Sequence, residues 1–273
     1  MTVDVEDYFQ VSALEAVCPR SSWSSSDYRV KNNVYRILEL FESHDVKATF
    51  FTLGCIAEEY PGMIREMVEA GHEIASHGWD HVRVSQQQPE EFRQDVTRTR
   101  KLLEDTSGAA VTGYRAASYS INEENLWALD ILAESGYLYS SSIVPVKHDL
   151  YGMPEAPRFA FDAAGGALRE IPITTVTIAG KNINCAGGGW FRLFPYAFSR
   201  WALRQVNEQE NESAVFYFHP WEIDPQQPRF KNLALKSRFR HYLNLEKMQP
   251  RLERLLGDFQ WARMDQVFMD ADK

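Results

Sequence analysis

Two histidines, His77 and His81, lie four residues apart in the segment EIASHGWDHVRV, at the end of a short apolar run. Neutral imidazole is a common protein ligand for zinc and related metals, and i,i+4 spacing on a turn brings two rings toward one point. The pair alone is equally consistent with two unrelated surface or core histidines. It predicts a metal site only if another part of the chain supplies a third ligand.

A group of carboxylates near the N-terminus could supply that ligand. The segment TVDVEDYF carries Asp4, Glu6 and Asp7. Side chains alternate across a strand, so Asp4 and Glu6 share one face, and clustered carboxylates repel one another unless a cation or an arginine compensates. An exposed acidic strand end is the alternative interpretation. With two histidines, one carboxylate would leave positions open for water and substrate, as in catalytic metal sites.

A further candidate is His219, which ends the apolar run in FYFHPWEID. An imidazole at the end of a strand can act as a general acid, because its neighbours readily move its pKa across neutrality. A histidine that merely packs before Pro220 is the alternative interpretation.

Helix-like and strand-like segments alternate along the first half of the chain. Apolar residues at helical spacing predict helices in KNNVYRILELFESHDV, PGMIREMVEAG, PEEFRQDVTRTRKLLEDTSG and NEENLWALDILAESG. Asn122 is the predicted N-cap of the last of these. Short β-rich runs predict strands in ATFFTL, HEIAS, VTGYRAAS and YLYSS. This rhythm predicts an α/β fold with a parallel sheet or a (β/α) barrel, whose chemistry follows the strand ends.

After Pro145 the rhythm breaks. Residues 146–168 are rich in proline and glycine and predict a long loop with room for one hairpin. Further strands and helices follow, and no internal repeat is present. We predict a single domain over residues 1–273, with residues 225–273 as a C-terminal extension that packs on the barrel.

Composition limits the partners. The formal net charge of −9 over 273 residues argues against nucleic-acid binding. Cys18, Cys55 and Cys185 are widely spaced, which favours separate thiols over a disulfide framework. We see no transmembrane segment and no signal peptide and expect a cytoplasmic location, although a shortened periplasmic chain would look the same. The sequence does not indicate the oligomeric state.

Taken in order, these segments resemble the motifs of the polysaccharide deacetylase family, the NodB homology domain. The resemblance extends from Asp4 to about Asp224 and rests on VDVED, HGWDH, GYRAASYS around Arg115, and YFH at His219. Members with VDVEDYF and HPWEID are similar to the branch found beside exosortase and exopolysaccharide gene clusters. Each motif alone is weak evidence, whereas all four in order on strand ends are specific.

The resemblance implies a distorted (β/α) barrel and hydrolysis of an N-acetyl group on an amino sugar, within an exopolysaccharide or its precursor. Matched by motif, Asp4 is the general base, Arg115 holds that base in place, and His219 is the general acid. Two rival functions stay open: an allantoinase-like hydrolase of a small amide, and a carbohydrate-binding relative without turnover.

The same resemblance implies one divalent metal ion. His77 and His81 match the family's histidine ligands, and the third ligand is Glu6 or Asp7, of which the shared strand face favours Glu6. Zinc is the favoured ion, and cobalt, nickel or iron would accept the same donors.

Two positions are predicted to contact the substrate. A backbone N–H near Ser118 would stabilise the oxyanion that forms during amide hydrolysis. The glycine run 187–189 predicts a mobile loop that brings Trp190 over a sugar ring, with a core aromatic as the alternative. The basic segment RFKNLALKSRFRHY predicts a solvated face, with contact to an anionic lipid carrier or acidic glycan as the alternative.

The chain departs from the family pattern at three positions. Gly78 stands where serine or threonine is usual, Ala117 where proline is frequent, and Ser140 where relatives often carry aspartate. These changes remove no predicted ligand but alter groups around the catalytic residues.

Overall fold

The computed structural model describes residues 1–149 and 151–269 of the chain. Its main sheet has the strand order β10-β1-β2-β3-β4-β5-β7-β6, and every neighbouring pair is parallel except β6 and β7. The strands are β1 (Thr2–Val5), β2 (Thr49–Thr52), β3 (Glu73–Ser76), β4 (Gly113–Tyr114), β5 (Tyr139–Ser140), β6 (Phe161–Ala163), β7 (Leu168–Glu170) and β10 (Tyr217–Phe218). A separate hairpin pairs β8 (Thr175–Ile178) with β9 (Lys181–Asn184). The predicted α/β fold of the barrel type is confirmed, as a curled sheet with β10 and β6 at its edges.

Helices surround this sheet. The α-helices of the described chain are α1 (Val30–Ser43), α2 (Gly54–Glu59), α3 (Pro61–Glu69), α4 (Pro89–Ser107), α5 (Trp127–Glu134), α6 (Gly188–Leu193), α7 (Tyr196–Arg204), α8 (Leu235–Tyr242) and α9 (Leu245–Asp258). Strand alternation divides the core: Val3 and Phe50 pack in a large cluster with helix side chains, whereas Phe51 belongs to a second cluster. Asp4, next to Val3 in β1, therefore faces away from the helices.

The antiparallel strands β6 and β7 form a hairpin at the end of the loop predicted over residues 146–168, where one hairpin was considered. The predicted N-cap of α5 is wrong, because the helix begins only at Trp127. Asn122 instead accepts a hydrogen bond from the Glu124 N–H, at 2.8 Å, in the turn before the helix.

The predicted C-terminal extension contributes to the main core through α9, whose Leu252 and Leu255 are fully buried there. Its last four residues, 270–273, lie outside the described residues. That the whole chain is one domain stays a prediction.

The parallel register positions the candidate residues. Val5 pairs with Thr52, Thr52 with Ser76, and Ser76 with Tyr114, so the C-terminal ends of four neighbouring strands lie side by side. Because each predicted motif includes or directly follows the C-terminal end of a strand, the sheet brings motifs that are distant in sequence to one edge.

Candidate active site

Asp4 is fixed by a buried arginine. Its Oδ1 accepts a hydrogen bond from Arg115 Nη1 at 2.6 Å, and its Oδ2 accepts one from the Tyr119 hydroxyl at 3.3 Å. Arg115 is fully buried and also donates to the Thr2 hydroxyl and the Ser141 carbonyl. Every contact of the guanidinium lies within the folded core, so Arg115 holds Asp4 in one orientation.

The two motif histidines converge through a loop. Gly78 (φ +75°) and His81 (φ +62°) both have left-handed backbone conformations, which glycine adopts without the steric penalty that other residues carry. The loop is held by the Trp79 N–H, which donates to Asp95 Oδ1 at 2.7 Å. The centroids of the His77 and His81 rings lie 5.4 Å apart. Their approach therefore comes from this non-helical turn, and it explains why glycine suits position 78.

Glu6, His77 and His81 form a buried cluster. One ligand atom from each lies within 4.8 Å of the others. His81 Nε2 is 2.9 Å from Glu6 Oε2, and His77 Nδ1 donates to the Arg115 carbonyl at 2.8 Å. Metal-binding histidines usually donate one ring N–H to a carbonyl or carboxylate in this way. The bond leaves the lone pair of His77 Nε2 free to bind a metal.

The donor set fits a divalent cation. Glu6 Oε2 is buried and receives no hydrogen bond of good geometry from the described residues, although His81 lies close to it. Buried lone pairs that face one another are stabilised by a cation between them. Two imidazoles and a carboxylate are ligands that zinc and related metals accept, which supports the predicted site.

Asp7 does not join this cluster. Its Oδ2 accepts hydrogen bonds from the N–H groups of Arg29 (2.6 Å) and Val30 (2.8 Å), and its Oδ1 accepts one from the Tyr8 N–H (2.8 Å). Asp7 thus satisfies unpaired donors at the start of α1. The prediction that Asp7 is a metal ligand is wrong, because its carboxylate is engaged by this helix end.

His219 lies between the cluster and a second carboxylate. Its Nε2 is 3.3 Å from Glu6 Oε1 and 3.9 Å from Asp4 Oδ2. Its Nδ1 is 3.1 Å from Glu222 Oε2, and its ring stacks on Trp221 with centroids 5.2 Å apart. The side chain is held on two sides and keeps Nε2 directed at the candidate site.

Glu222 is itself anchored by Arg192. Glu222 Oε1 accepts a hydrogen bond from Arg192 Nε at 2.9 Å, and each side chain is 1% exposed. Arg192 also donates to the carbonyls of Arg240, His241 and Leu243, around the end of α8. Arg192 and Tyr119 were not among the residues predicted from the sequence. For Glu222, the available signal was its position three residues after His219.

Charge and burial set the protonation states of the cluster. Burial lowers the pKa of His77 to about 4, so its ring is neutral and able to bind a metal. Burial alone would raise the pKa of Glu6, but His81 and His219 lower it to about 2. Burial alone would lower the pKa of His219, but Glu6 and Glu222 raise it to about 9.

An open cleft of about 270 Å³ lies over these residues. Ser118 lines it with a left-handed backbone (φ +53°), and its hydroxyl is 2.7 Å from that of Ser12. Trp190 also lines it, but on α6, where it stacks on Phe194 and donates to the Tyr151 hydroxyl at 3.4 Å. The predicted mobile loop at Trp190 is therefore wrong, because the residue lies on a helix, and contact of Trp190 with a sugar stays a prediction.

Ser140, where aspartate was expected, lies next to another buried carboxylate. The Ser140 hydroxyl donates to that of Ser142 at 2.8 Å, and its partner across the sheet is Glu170. Glu170 Oε1 accepts hydrogen bonds from the N–H groups of Ser142 and Ile143, both at 2.8 Å. Ala117 is buried in a short 3₁₀ turn, and nothing in the structure explains the absence of proline there.

These features define a class: an α/β fold of the barrel type with a candidate metal site flanked by an aspartate, Asp4, and a histidine, His219. Residues 17–139 match the family model described as polysaccharide deacetylase, and residues 141–269 match a model described as a domain of unknown function, DUF3473. Residues 17–139, somewhat less than half of the chain, are therefore similar to the polysaccharide deacetylase family. No helix within the described residues is long and apolar enough to cross a bilayer.

Individual relatives support this assignment. The peptidoglycan N-acetylglucosamine deacetylase PgdA of Listeria monocytogenes is 33% identical over 88 residues, which are 32% of this chain and 19% of that protein. A chitooligosaccharide deacetylase of Bradyrhizobium sp. is 32% identical over 99 residues, which are 36% of this chain and 43% of that protein. The matches thus span less than half of either relative.

A solved structure shows the same fold over the entire chain. A Mycobacterium smegmatis protein, assigned by its description to the polysaccharide deacetylases, aligns over 100% of this chain and 88% of its own. The TM-score is 0.63 and the sequence identity is 20%. The likeness therefore includes the C-terminal half, which the polysaccharide deacetylase model does not cover.

Proposed function

We propose that the protein hydrolyses the N-acetyl group of an amino sugar in an exopolysaccharide or its precursor, and that the reaction depends on a divalent metal. The observation that carries this proposal is the position of Asp4 and His219, each beside the Glu6–His77–His81 cluster on the floor of an open cleft. One base, one acid and one cation site are the groups that amide hydrolysis requires.

The cation would be held by Glu6, His77 and His81. When bound, a divalent ion polarises the amide carbonyl and increases the acidity of a water molecule. Zinc is our proposed ion, and the same donors suit cobalt, nickel or iron.

Asp4 acts as the general base. Arg115 and Tyr119 engage its two oxygens from within the core, which holds the carboxylate still while it accepts the proton of the attacking water. The new C–O bond converts the amide to a tetrahedral oxyanion, for which a backbone N–H near Ser118 is the proposed donor.

His219 acts as the general acid. Its Nδ1–H is directed to Glu222, so the Nε2–H is the proton available to the departing nitrogen. The C–N bond breaks as this proton is transferred, and the products are acetate and the free amine of the sugar. Glu222 does not touch the reacting atoms; it is a positioning residue that holds the ring.

The cleft supports a sugar substrate. The aromatic side chains of Trp190, Tyr151 and Tyr217 are part of its lining, and apolar ring surfaces pack well on sugars. The relatives named for deacetylation of peptidoglycan N-acetylglucosamine and chitooligosaccharide favour an N-acetylglucosamine unit. We also propose that Trp190 packs on a sugar ring, which substitution of Trp190 would test. A cytoplasmic location is a further part of the proposal, and cell fractionation would test it.

Acetate release from N-acetylglucosamine oligomers tests the function. We expect release by the metal-loaded protein, its loss on chelation, and its recovery on addition of zinc. The variant Asp4→Asn should bind the oligomer and release no acetate above background. Hydrolysis of allantoin instead would support the small-amide alternative, and binding without turnover in the intact protein would support the carbohydrate-binding alternative.

A further inference from the structure

The segment before and within α8 differs from the rest of the chain in charge. Residues 225–245 contain five lysines and arginines and no aspartate or glutamate, in a protein of formal net charge −9. Lys236 and Arg240 pair with Asp149. Lys231 and Arg238 are exposed and make no ion pair with another described residue, so they project positive charge into solvent.

The same helix exposes large apolar side chains. Leu235 is 84% exposed and Phe239 is 56% exposed, the two highest values among the exposed large hydrophobic residues of the described chain. They lie one helical turn apart, so both project from one face, with Arg238 beside them. Exposed apolar side chains next to positive charge are typical of protein surfaces that bind amphiphilic molecules such as lipids.

This face is held rigidly at the mouth of the cleft. Phe239 and Arg240 line the cleft together with Leu193, which is 42% exposed. On the opposite side of α8, His241 is buried and stacks on Trp221 with centroids 4.3 Å apart. The opposite face of α8 is therefore packed against the rest of the protein. Leu235 and Phe239 are exposed on an ordered helix and not on a frayed one.

We propose that this face of α8, formed by Leu235, Arg238 and Phe239, docks the protein on a membrane surface that contains anionic lipids. Negative headgroups complement the unpaired cations, and the interfacial region accepts the leucine and phenylalanine. A second copy of the chain fits poorly, because a symmetric contact would place like charges against each other. A soluble acidic glycan would account for the cations but not for the exposed leucine.

One consequence rests on the proposed function. If the cleft deacetylates a glycan, docking through α8 places its mouth against the bilayer, which favours an amino-sugar glycan attached to a lipid over a free polymer. The docking itself requires no turnover and is measured separately.

Co-sedimentation of the full chain with lipid vesicles tests the docking. We expect binding to vesicles of phosphatidylcholine mixed with phosphatidylglycerol and little binding to phosphatidylcholine alone. Leu235→Ser should weaken binding roughly tenfold through lost apolar contact, and Arg238→Gln roughly fivefold through lost charge. Leu138→Ser is the matched control, since Leu138 is 51% exposed on a segment outside the cleft.

Three results would overturn the docking proposal: no binding to the anionic vesicles at low ionic strength, equal binding to neutral vesicles, or equal loss of binding in Leu138→Ser. Concentration-dependent dimerisation that Leu235→Ser abolishes would assign the face to a second copy instead. Leu235→Ser should retain acetate release from soluble oligomers, so a failure of docking and a failure of the deacetylase proposal give different results.

Discussion

Glu222 Oε2 lies 3.1 Å from His219 Nδ1 and also accepts the backbone N–H of His219 at 3.0 Å, so one carboxylate oxygen holds both the ring and the main chain of the proposed acid. The other oxygen accepts a hydrogen bond from the buried Arg192. The carboxylate cannot rotate without breaking one of these contacts. His219 is therefore presented to the cleft by a rigid carboxylate three residues further along the chain.

Replacement of Glu222 should separate substrates by their leaving groups. We expect Glu222→Gln to lower kcat for N-acetyl substrates about a hundredfold, with little change in KM, because the acid is misoriented. Hydrolysis of an aryl acetate, whose leaving group needs no proton, should be nearly unaffected. Glu222→Asp should recover part of the loss. Equal loss on both substrates would indicate a merely structural role.

Two neighbouring glycines offer a matched test of the same contact. A Cβ at Gly188 would overlap with Glu222 Oε2, whereas a Cβ at Gly189 would meet nothing within 4 Å. We expect Gly188→Ala to displace Glu222, with lower deacetylase activity and lower thermal stability. Gly189→Ala should leave thermal stability unchanged, as measured by calorimetry. Similar behaviour of the two variants would contradict the proposed packing around Glu222.

Metal removal should change stability as well as activity. We expect elemental analysis to find one divalent ion per chain, and addition of the metal to stabilise the metal-free protein by about 3 kcal/mol at a hundredfold excess over its Kd. His77→Ala and His81→Ala should lose this stabilisation, and Asp7→Asn should keep it. Loss of metal binding in Asp7→Asn with a normal fold would refute the ligand assignment.

Replacement of Arg115 should show how much its buried ion pair with Asp4 contributes to the free energy of unfolding. Arg115→Met leaves Asp4 buried without its charged partner, and the breaking of a buried pair typically costs 3–5 kcal/mol. We expect denaturant unfolding to show a loss of about this size. Arg98→Met serves as the control, because Arg98 lies over the Trp79 ring at 3.2 Å and has no carboxylate partner among the described ion pairs. A loss below about 1 kcal/mol for Arg115→Met would show that the pair adds little stability.

Stability should also depend on the pH through Glu73, which is not one of the candidate metal ligands. Burial and the nearby Asp265 raise the pKa of Glu73 from 4.5 to about 7. The folded state thus retains a proton that the unfolded state releases. The contribution of this group is fully present below about pH 4.5 and is lost as the pH rises through about 7, by roughly 3 kcal/mol.

Comparison of Glu73→Gln with the native protein isolates this effect. The amide cannot ionise, so Glu73→Gln should not lose this contribution to stability. Its unfolding free energy should therefore increase relative to that of the native protein as the pH rises from about 4.5 to 7. The exposed Glu124→Gln is the control and should show no such trend. A difference that does not change with pH would contradict the raised pKa.

Much of the fold and of the candidate site was predictable from local pattern. The alternation of helical and strand-like segments indicated the α/β class, because hydrophobic periodicity is a property of a few consecutive residues. Asp4, His77, Arg115 and His219 were selected because their types and motif positions suit metal and proton chemistry. The structure brings all four to one edge of the sheet.

Other assignments depended on three-dimensional contacts. Strand alternation favoured Glu6 over Asp7, but only the start of α1 shows what occupies the Asp7 carboxylate. Arg192 lies thirty residues from Glu222 in sequence, and their buried ion pair leaves no periodic signal. The exposure of Leu235 could also not be predicted from the sequence, because an amphipathic pattern does not show which face of a helix another element covers.

By itself, the sequence determined the class of fold, the family of its motifs and the residues capable of the chemistry, because these depend on residue type and short-range spacing. Only the tertiary structure decided which carboxylate faces the histidines, which one holds His219, and which apolar side chains stay in solvent. Those outcomes depend on the packing of segments far apart in the chain, and distant contacts are selected by the fold as a whole.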